Sequence, residues 1–228
     1  MSRRKKYGYC AYCGDYDILT RDHVIPQCLF VGGTPGDVPR VYACSTCNGD
    51  EKSSNDTYLR DLLVMDMDSS EHPVVKQLFD KFVRAIKRNQ SKAARDAMQS
   101  TRPIPLMTPS GLYAGWAWAF ESEDKRNEAI MSMIVRGLYI AYIGGKLPAN
   151  STFDIFRQRD MSKLDAALQS LLRQGAQHVR IGNSEVFECI YAHVPEQPEV
   201  SIWFLCFYEK VIFTVATNLY LTDVQNAS

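Results

Sequence analysis

Residues 10–14 read Cys10-Ala11-Tyr12-Cys13-Gly14, and the same spacing returns at Cys44-Ser45-Thr46-Cys47 after an interval of thirty residues. Four thiolates can surround one zinc ion tetrahedrally at about 2.3 Å, and each C-x2-C turn offers two sulfurs to the same ion. A redox pair needs only one such turn, so two turns flanking a short segment point to a metal site. Cys10, Cys13, Cys44 and Cys47 are therefore the expected ligands of a structural Zn2+. A site filled by four cysteines is coordinatively closed, so this ion would hold the fold and perform no hydrolysis.

Between the two turns lies LTRDHVIPQCLF, residues 19–30, which sets a carboxylate and an imidazole side by side in an apolar run closed by Pro26. A glycine-rich loop, VGGTPGD, follows, and Arg40-Val41-Tyr42-Ala43 reads as a returning strand. From Ser45 onward the chain reads as a helix, with Ser45 or Thr46 as its cap and Asn48 in its first turn. A hairpin and a helix tied at one end by zinc would bring Asp22, His23 and Asn48 into one cleft. Adjacent strand residues face opposite sides, so Asp22 and His23 share that cleft only through a bend, a bulge or a reach over the strand edge.

These elements together, C-x2-C-G at 10–14, D-H-V-I-P at 22–26 and C-x2-C-N-x3-K at 44–52, resemble the HNH endonuclease superfamily in its four-cysteine variant. The resemblance covers about the first 65 residues. It implies a ββα-metal module and assigns roles residue by residue. Asp22 stands where the family has the carboxylate ligand of a catalytic Mg2+ or Mn2+, and His23 where it has the general base. Asn48 corresponds to the second ligand of that metal, and Lys52 to a basic residue near the phosphate. The position of the family's middle asparagine, nine residues before Asn48, is Pro39 here. Asp37 or backbone groups are the candidates to brace the loop in its place. The implied activity is hydrolysis of DNA, with RNA left open, leaving 5′-phosphate and 3′-hydroxyl ends. One such site handles one strand, so a protomer would nick. A nuclease head with an appended region is similar to bacterial restriction or phage-defence enzymes.

The residue types suit that chemistry on independent grounds. Phosphodiester hydrolysis needs a nucleophile, neutralisation of charge gathering on oxygen, and a base that positions water. Oxygen ligands such as Asp22 and Asn48 match a hard divalent ion. Histidine accepts a proton near neutral pH.

The rest of the chain sets the frame. With 228 residues and 46% hydrophobic content it can bury a sizeable core. Its zero formal net charge argues against a uniformly basic nucleic-acid binder. Residues 73–102 nonetheless carry eight Lys and Arg against two Asp, which is a solvated helix face or a phosphate-facing surface. No apolar run is long enough to span a bilayer and no apolar segment follows the basic start, so the expected location is the cytoplasm and no membrane partner is expected.

A break at MDMDSSEHP suggests two units, residues 1–66 as the zinc module and residues 73–228 as an α+β region. In the second unit, apolar spacing predicts helices over 74–97, 123–143 and 161–175, and alternation predicts strands over 186–194, 201–208 and 211–217. Residues 103–120 carry no clear period. The expected fold class is α+β, a zinc-stabilised head followed by helices and a terminal antiparallel sheet. Residues 73–228 would supply contacts to a second copy or to a partner protein.

Plainer roles are expected elsewhere. Cys28, Cys189 and Cys206 should fill core space. His72, His178 and His193 lack ligand spacing and should be structural. Trp116, Trp118 and Phe120, at period two, read as one strand face or a buried segment in preference to a base-stacking platform. Pro39 also motivates an alternative function, a zinc-dependent nucleic-acid-binding or adaptor module with a degenerate nuclease site. In a third reading the head is a generic nuclease and the remainder senses modified DNA, a ligand or a partner.

Overall fold

Strand β1 (Lys6–Tyr9) reverses into β2 (Tyr16–His23) through the first cysteine turn, where Gly14 takes the positive φ of 82° that a non-glycine residue resists. This computed structural model describes residues 5–88, 101–108, 110–119, 124–158, 173, 175–182 and 185–218, with the backbone alone at Trp118. Strand β3 (Arg40–Cys44) completes an antiparallel three-stranded sheet in the order β1-β2-β3. Its register with β2 runs unbroken from Leu19 opposite Cys44 to His23 opposite Arg40. The pairing thus carries the second cysteine turn back beside the first.

Helix α1 (Asp50–Met65) begins later than expected. Residues 45–49 form a turn instead, and Gly49 caps the helix without a side-chain hydrogen bond. A Cβ at Gly49 would lie 2.5 Å from the Ser45 carbonyl oxygen, so the close turn after Cys44 requires glycine there. Asn48 consequently precedes the helix and does not lie in its first turn.

Helix α2 (Pro73–Lys87) starts at the proline ending the MDMDSSEHP break, with His72 Nδ1 accepting from the Val74 N–H. Its predicted continuation through 97 passes into residues outside the described set. The apparently aperiodic stretch is a hairpin of β4 (Arg102–Met107) and β5 (Tyr113–Ala119). Helix α3 (Asp124–Tyr142) agrees with the helix predicted over 123–143, and Gly144 and Gly145 stop it at φ of 94° and 75°. Nearly all of the helix predicted over 161–175 lies outside the described residues.

A five-stranded antiparallel sheet, in the order β6-β10-β9-β8-β7, closes the fold. Its strands are β6 (Phe153–Gln158), β7 (Gln177–Ile181), β8 (Phe187–Val194), β9 (Gln197–Phe207) and β10 (Val211–Thr217). The fold class is α+β, as the sequence predicts. Among the described residues no helix is long and apolar enough to cross a membrane.

Buried side chains on both sides of residues 66–73 belong to one hydrophobic cluster, from Leu19, Ile25 and Leu63 to Leu138, Trp203 and Phe207. Three contacts show how the second part of the chain clasps the first. A Cβ on Gly137 of α3 would sit 2.6 Å from Val24 Cγ2, so that helix lies against the residue directly after His23. The Tyr208 hydroxyl donates to the Leu29 carbonyl at 3.0 Å. Lys146 Nζ donates to the carbonyls of Tyr9 and Cys10 at 2.7 and 3.2 Å.

Trp116 lies on a strand face, one of its two expected settings, and that face is the outward one. Ala117 is 8% exposed and turns inward, while Trp116, one residue earlier in a period-two strand, is 69% exposed. A two-stranded ribbon covers only one of its faces, and the larger side chain lies on the other. Phe120 lies outside the described residues.

Candidate metal centre and adjoining cleft

The two cysteine turns meet at the end of the small sheet. The sulfurs of Cys10, Cys13, Cys44 and Cys47 all lie within 4.8 Å of one another, and Cys13 and Cys44 are 3.8 Å apart. Tetrahedral ligands at about 2.3 Å from zinc are separated by about 3.8 Å, so donor set and spacing fit such an ion. Backbone N–H groups of Tyr12 and Cys44 both point at Cys10 Sγ, each at 3.4 Å. Burial pushes the Cys10 thiol up, but these donors together with the backbone and thiol of Cys13 outweigh it and bring the group down to about 7. Cys10 is thus prepared to bind as a thiolate. This four-cysteine cluster is a potential metal-binding site of the zinc type.

Beside it lies a cleft of about 310 Å3 whose walls include Asp22, His23, Asn48, Lys52 and Asp56. The three residues expected to converge, Asp22, His23 and Asn48, all border this cavity. They do so without a bulge, since the β2–β3 register is continuous. His23 is instead the last residue of β2, where the strand ends and the alternation of faces need not continue.

Asp22 is buried and engaged on both carboxylate oxygens. The Tyr12 hydroxyl donates to Oδ2 at 2.6 Å, and Lys52 Nζ stands 3.3 Å from Oδ1. Lys52 is itself buried and forms a tighter ion pair with Asp56 Oδ2 at 2.7 Å. The ammonium expected to face a phosphate is therefore turned inward between two carboxylates. Burial raises the Asp56 carboxyl above its ordinary range, with the charge of Lys52 opposing the rise.

His23 is half-buried, and its Nε2 accepts from Arg40 Nε at 2.9 Å. Since the guanidinium can only donate, the neutral imidazole in this arrangement carries its hydrogen on Nδ1. Burial and then the Arg40 charge lower its pKa, which keeps the ring neutral at neutral pH. Asn48 donates from Nδ2 to Thr20 Oγ1 at 3.0 Å and to the Arg21 carbonyl at 3.3 Å, so Oδ1 is the atom it has for a ligand.

Pro39 does not leave the loop unbraced, because its carbonyl accepts from the Val24 N–H at 2.9 Å. Backbone thus ties the end of β2 to the start of β3. Asp37 braces a different place: its Oδ2 accepts from the Gly182 N–H at 2.7 Å, fastening the loop to the end of β7.

Sequence reasoning overlooked Tyr12, Arg40 and Asp56. Only Asp56 carried a local signal, since it follows Lys52 by four residues on one helix. Cys28, expected in the core, borders the cleft and donates from Sγ to the Asp56 carbonyl at 3.2 Å. Cys189 is fully buried, as expected. His72 caps a helix and packs with its ring tilted 45° against Tyr208 at 5.3 Å between centroids, and His178 pairs with Glu188 at 2.8 Å. No family model, no curated protein and no solved structure matches this chain.

Proposed function

We propose that the cleft is the active site of a metal-dependent endonuclease of the HNH type, hydrolysing DNA phosphodiester bonds beside a structural Zn2+ held by Cys10, Cys13, Cys44 and Cys47. The observation carrying this reading is that Asp22, His23 and Asn48 border one cavity next to the four-cysteine cluster. Asp22 and Asn48 offer oxygen donors to Mg2+ or Mn2+. Bound there, such an ion would neutralise charge on the scissile phosphate.

The chain's own residues supply the rest. His23 accepts a proton from the attacking water once Arg40 leaves its Nε2 lone pair. Arg40 is exposed, and a phosphate oxygen would compete for its guanidinium. Release of His23 and recognition of the phosphate are then one event. Lys52 has its shorter contact with Asp56, so Asp22 Oδ1 would be the oxygen to hold a divalent ion while Asp56 keeps the ammonium. A nuclease head followed by an appended region fits a bacterial restriction or phage-defence role.

The test is supercoiled plasmid incubated with Mg2+ or Mn2+, with EDTA and His23→Ala as controls. Nicked circles should form first and disappear in both controls. Cleavage that survives His23→Ala removes this mechanism.

A second reading, a zinc-dependent nucleic-acid-binding or adaptor module, is favoured by one feature: Asp22 and His23 are already occupied by Tyr12, Lys52 and Arg40. Gel shifts without cutting, across several metals and substrates, would establish it instead.

A further inference from the structure

Tyr12 lies between two cysteines of the cluster and serves two masters. Its backbone N–H donates to Cys10 Sγ at 3.4 Å. Its side chain leaves the cluster and places its hydroxyl 2.6 Å from Asp22 Oδ2. The surrounding turn is fastened to β3, because the Ala11 N–H donates to the Tyr42 carbonyl at 2.9 Å and the Cys44 N–H donates to Cys10 Sγ. The residue is 7% exposed, so the phenol reaches Asp22 from within a packed turn that the cysteines also form.

The phenol is a dependable donor. At 2.6 Å from a carboxylate oxygen, which accepts, the phenolic O–H is the donor. With Oδ2 held by Tyr12, Oδ1 is the oxygen presented to a cation, and Lys52 Nζ stands next to it at 3.3 Å. Carboxylates that bind metals are generally oriented by such outer hydrogen bonds, and losing one costs about 10- to 100-fold in metal affinity or activity.

We infer that Tyr12 is a positioning residue linking the two sites, so that the four-cysteine cluster sets the affinity of Asp22 for a divalent metal. The inference rests on the nuclease reading above. A zinc-loaded cluster holds the turn, the turn holds the phenol, and the phenol holds Asp22 with one oxygen facing the cleft. The four-cysteine cluster would thereby act on Asp22 through the Tyr12 side chain.

The experiment compares the full-length wild type with Tyr12→Phe, which keeps the packed ring and removes only the hydroxyl. Zinc content is measured by elemental analysis and Mn2+ binding by the loss of the free-ion electron paramagnetic resonance signal. Tyr12→Phe should retain zinc, bind Mn2+ about 10- to 100-fold more weakly, and lose kcat with little change in KM for DNA. Equal Mn2+ affinity in the two proteins overturns the inference. Loss of zinc from the variant also overturns it, because Tyr12 would then serve the fold of the turn. A wild type that holds zinc and binds no Mn2+ defeats the nuclease reading itself, and this inference falls with it.

Discussion

Lys52 Nζ lies 3.3 Å from Asp22 Oδ1 and 2.7 Å from Asp56 Oδ2, so one buried ammonium is shared by two carboxylates facing the same cleft. Removing one partner of a buried ion pair leaves the other charge uncompensated, at a cost of about 3–5 kcal/mol. Lys52→Met should therefore lose stability by about that amount in metal-free buffer. Mn2+ should restore much of it and bind more tightly than to the wild type, because the competing cation is gone. Denaturant midpoints with and without Mn2+ decide this, and equal stabilisation of both proteins would refute the competition.

The cluster and the cleft should respond differently to substitution. Cys44→Ser removes a ligand of a closed site, so zinc content should fall and the thermal transition should broaden or disappear. His23→Ala changes a half-buried group at the end of a strand, and its melting temperature should stay within a few degrees of the wild type. If both variants unfold alike, the division into a structural and a reactive site fails.

Arg40 should control the ionisation of His23. Burial and the Arg40 charge both depress the imidazole pKa. The folded protein therefore binds this proton less readily than the unfolded chain, so the contribution to stability is present above the ordinary histidine value and is lost as pH falls through it toward the folded pKa. NMR titration of the metal-free protein should find His23 titrating below the ordinary value of about 6.5. Arg40→Ala should raise it. An unchanged titration in the variant would show that the 2.9 Å contact does not persist in solution.

The contact between α3 and the strand end offers a packing test. Gly137 faces Val24 so closely that an added Cβ would meet both methyl groups, at 2.6 and 2.7 Å. Gly137→Ala should cost about 1–3 kcal/mol through overpacking. Combining it with Val24→Ala should recover part of that loss, as contacting sites are not additive. Strict additivity in urea unfolding would contradict the close approach.

The cysteine cluster was legible because its information is local: each C-x2-C turn presets two sulfurs, and an alternating strand returns one turn to the other. The stop of α3 at Gly144-Gly145 and the hairpin joining β9 to β10 were legible for the same reason. In that hairpin Tyr208 and Glu209 both take positive φ, 50° and 62°, which matches the twist of the flanking strands. The ribbon of β4 and β5 was hidden because prolines and glycines interrupt its period. The start of α1 was misplaced because Ser45 and Thr46 resemble caps, whereas the close approach of Gly49 to Ser45 is a property of the folded turn.

By itself the sequence determined the metal-ligand spacing and the α+β class, since these follow from residue types and periods along short stretches of chain. Only the tertiary structure decided that Lys52 turns inward, that Arg40 takes the lone pair of His23, that Asp37 reaches Gly182, and that Trp116 faces outward. Burial and charge pairing depend on which distant segments share a surface. A strand or helix period says that a side chain has a face, and packing chooses what that face meets.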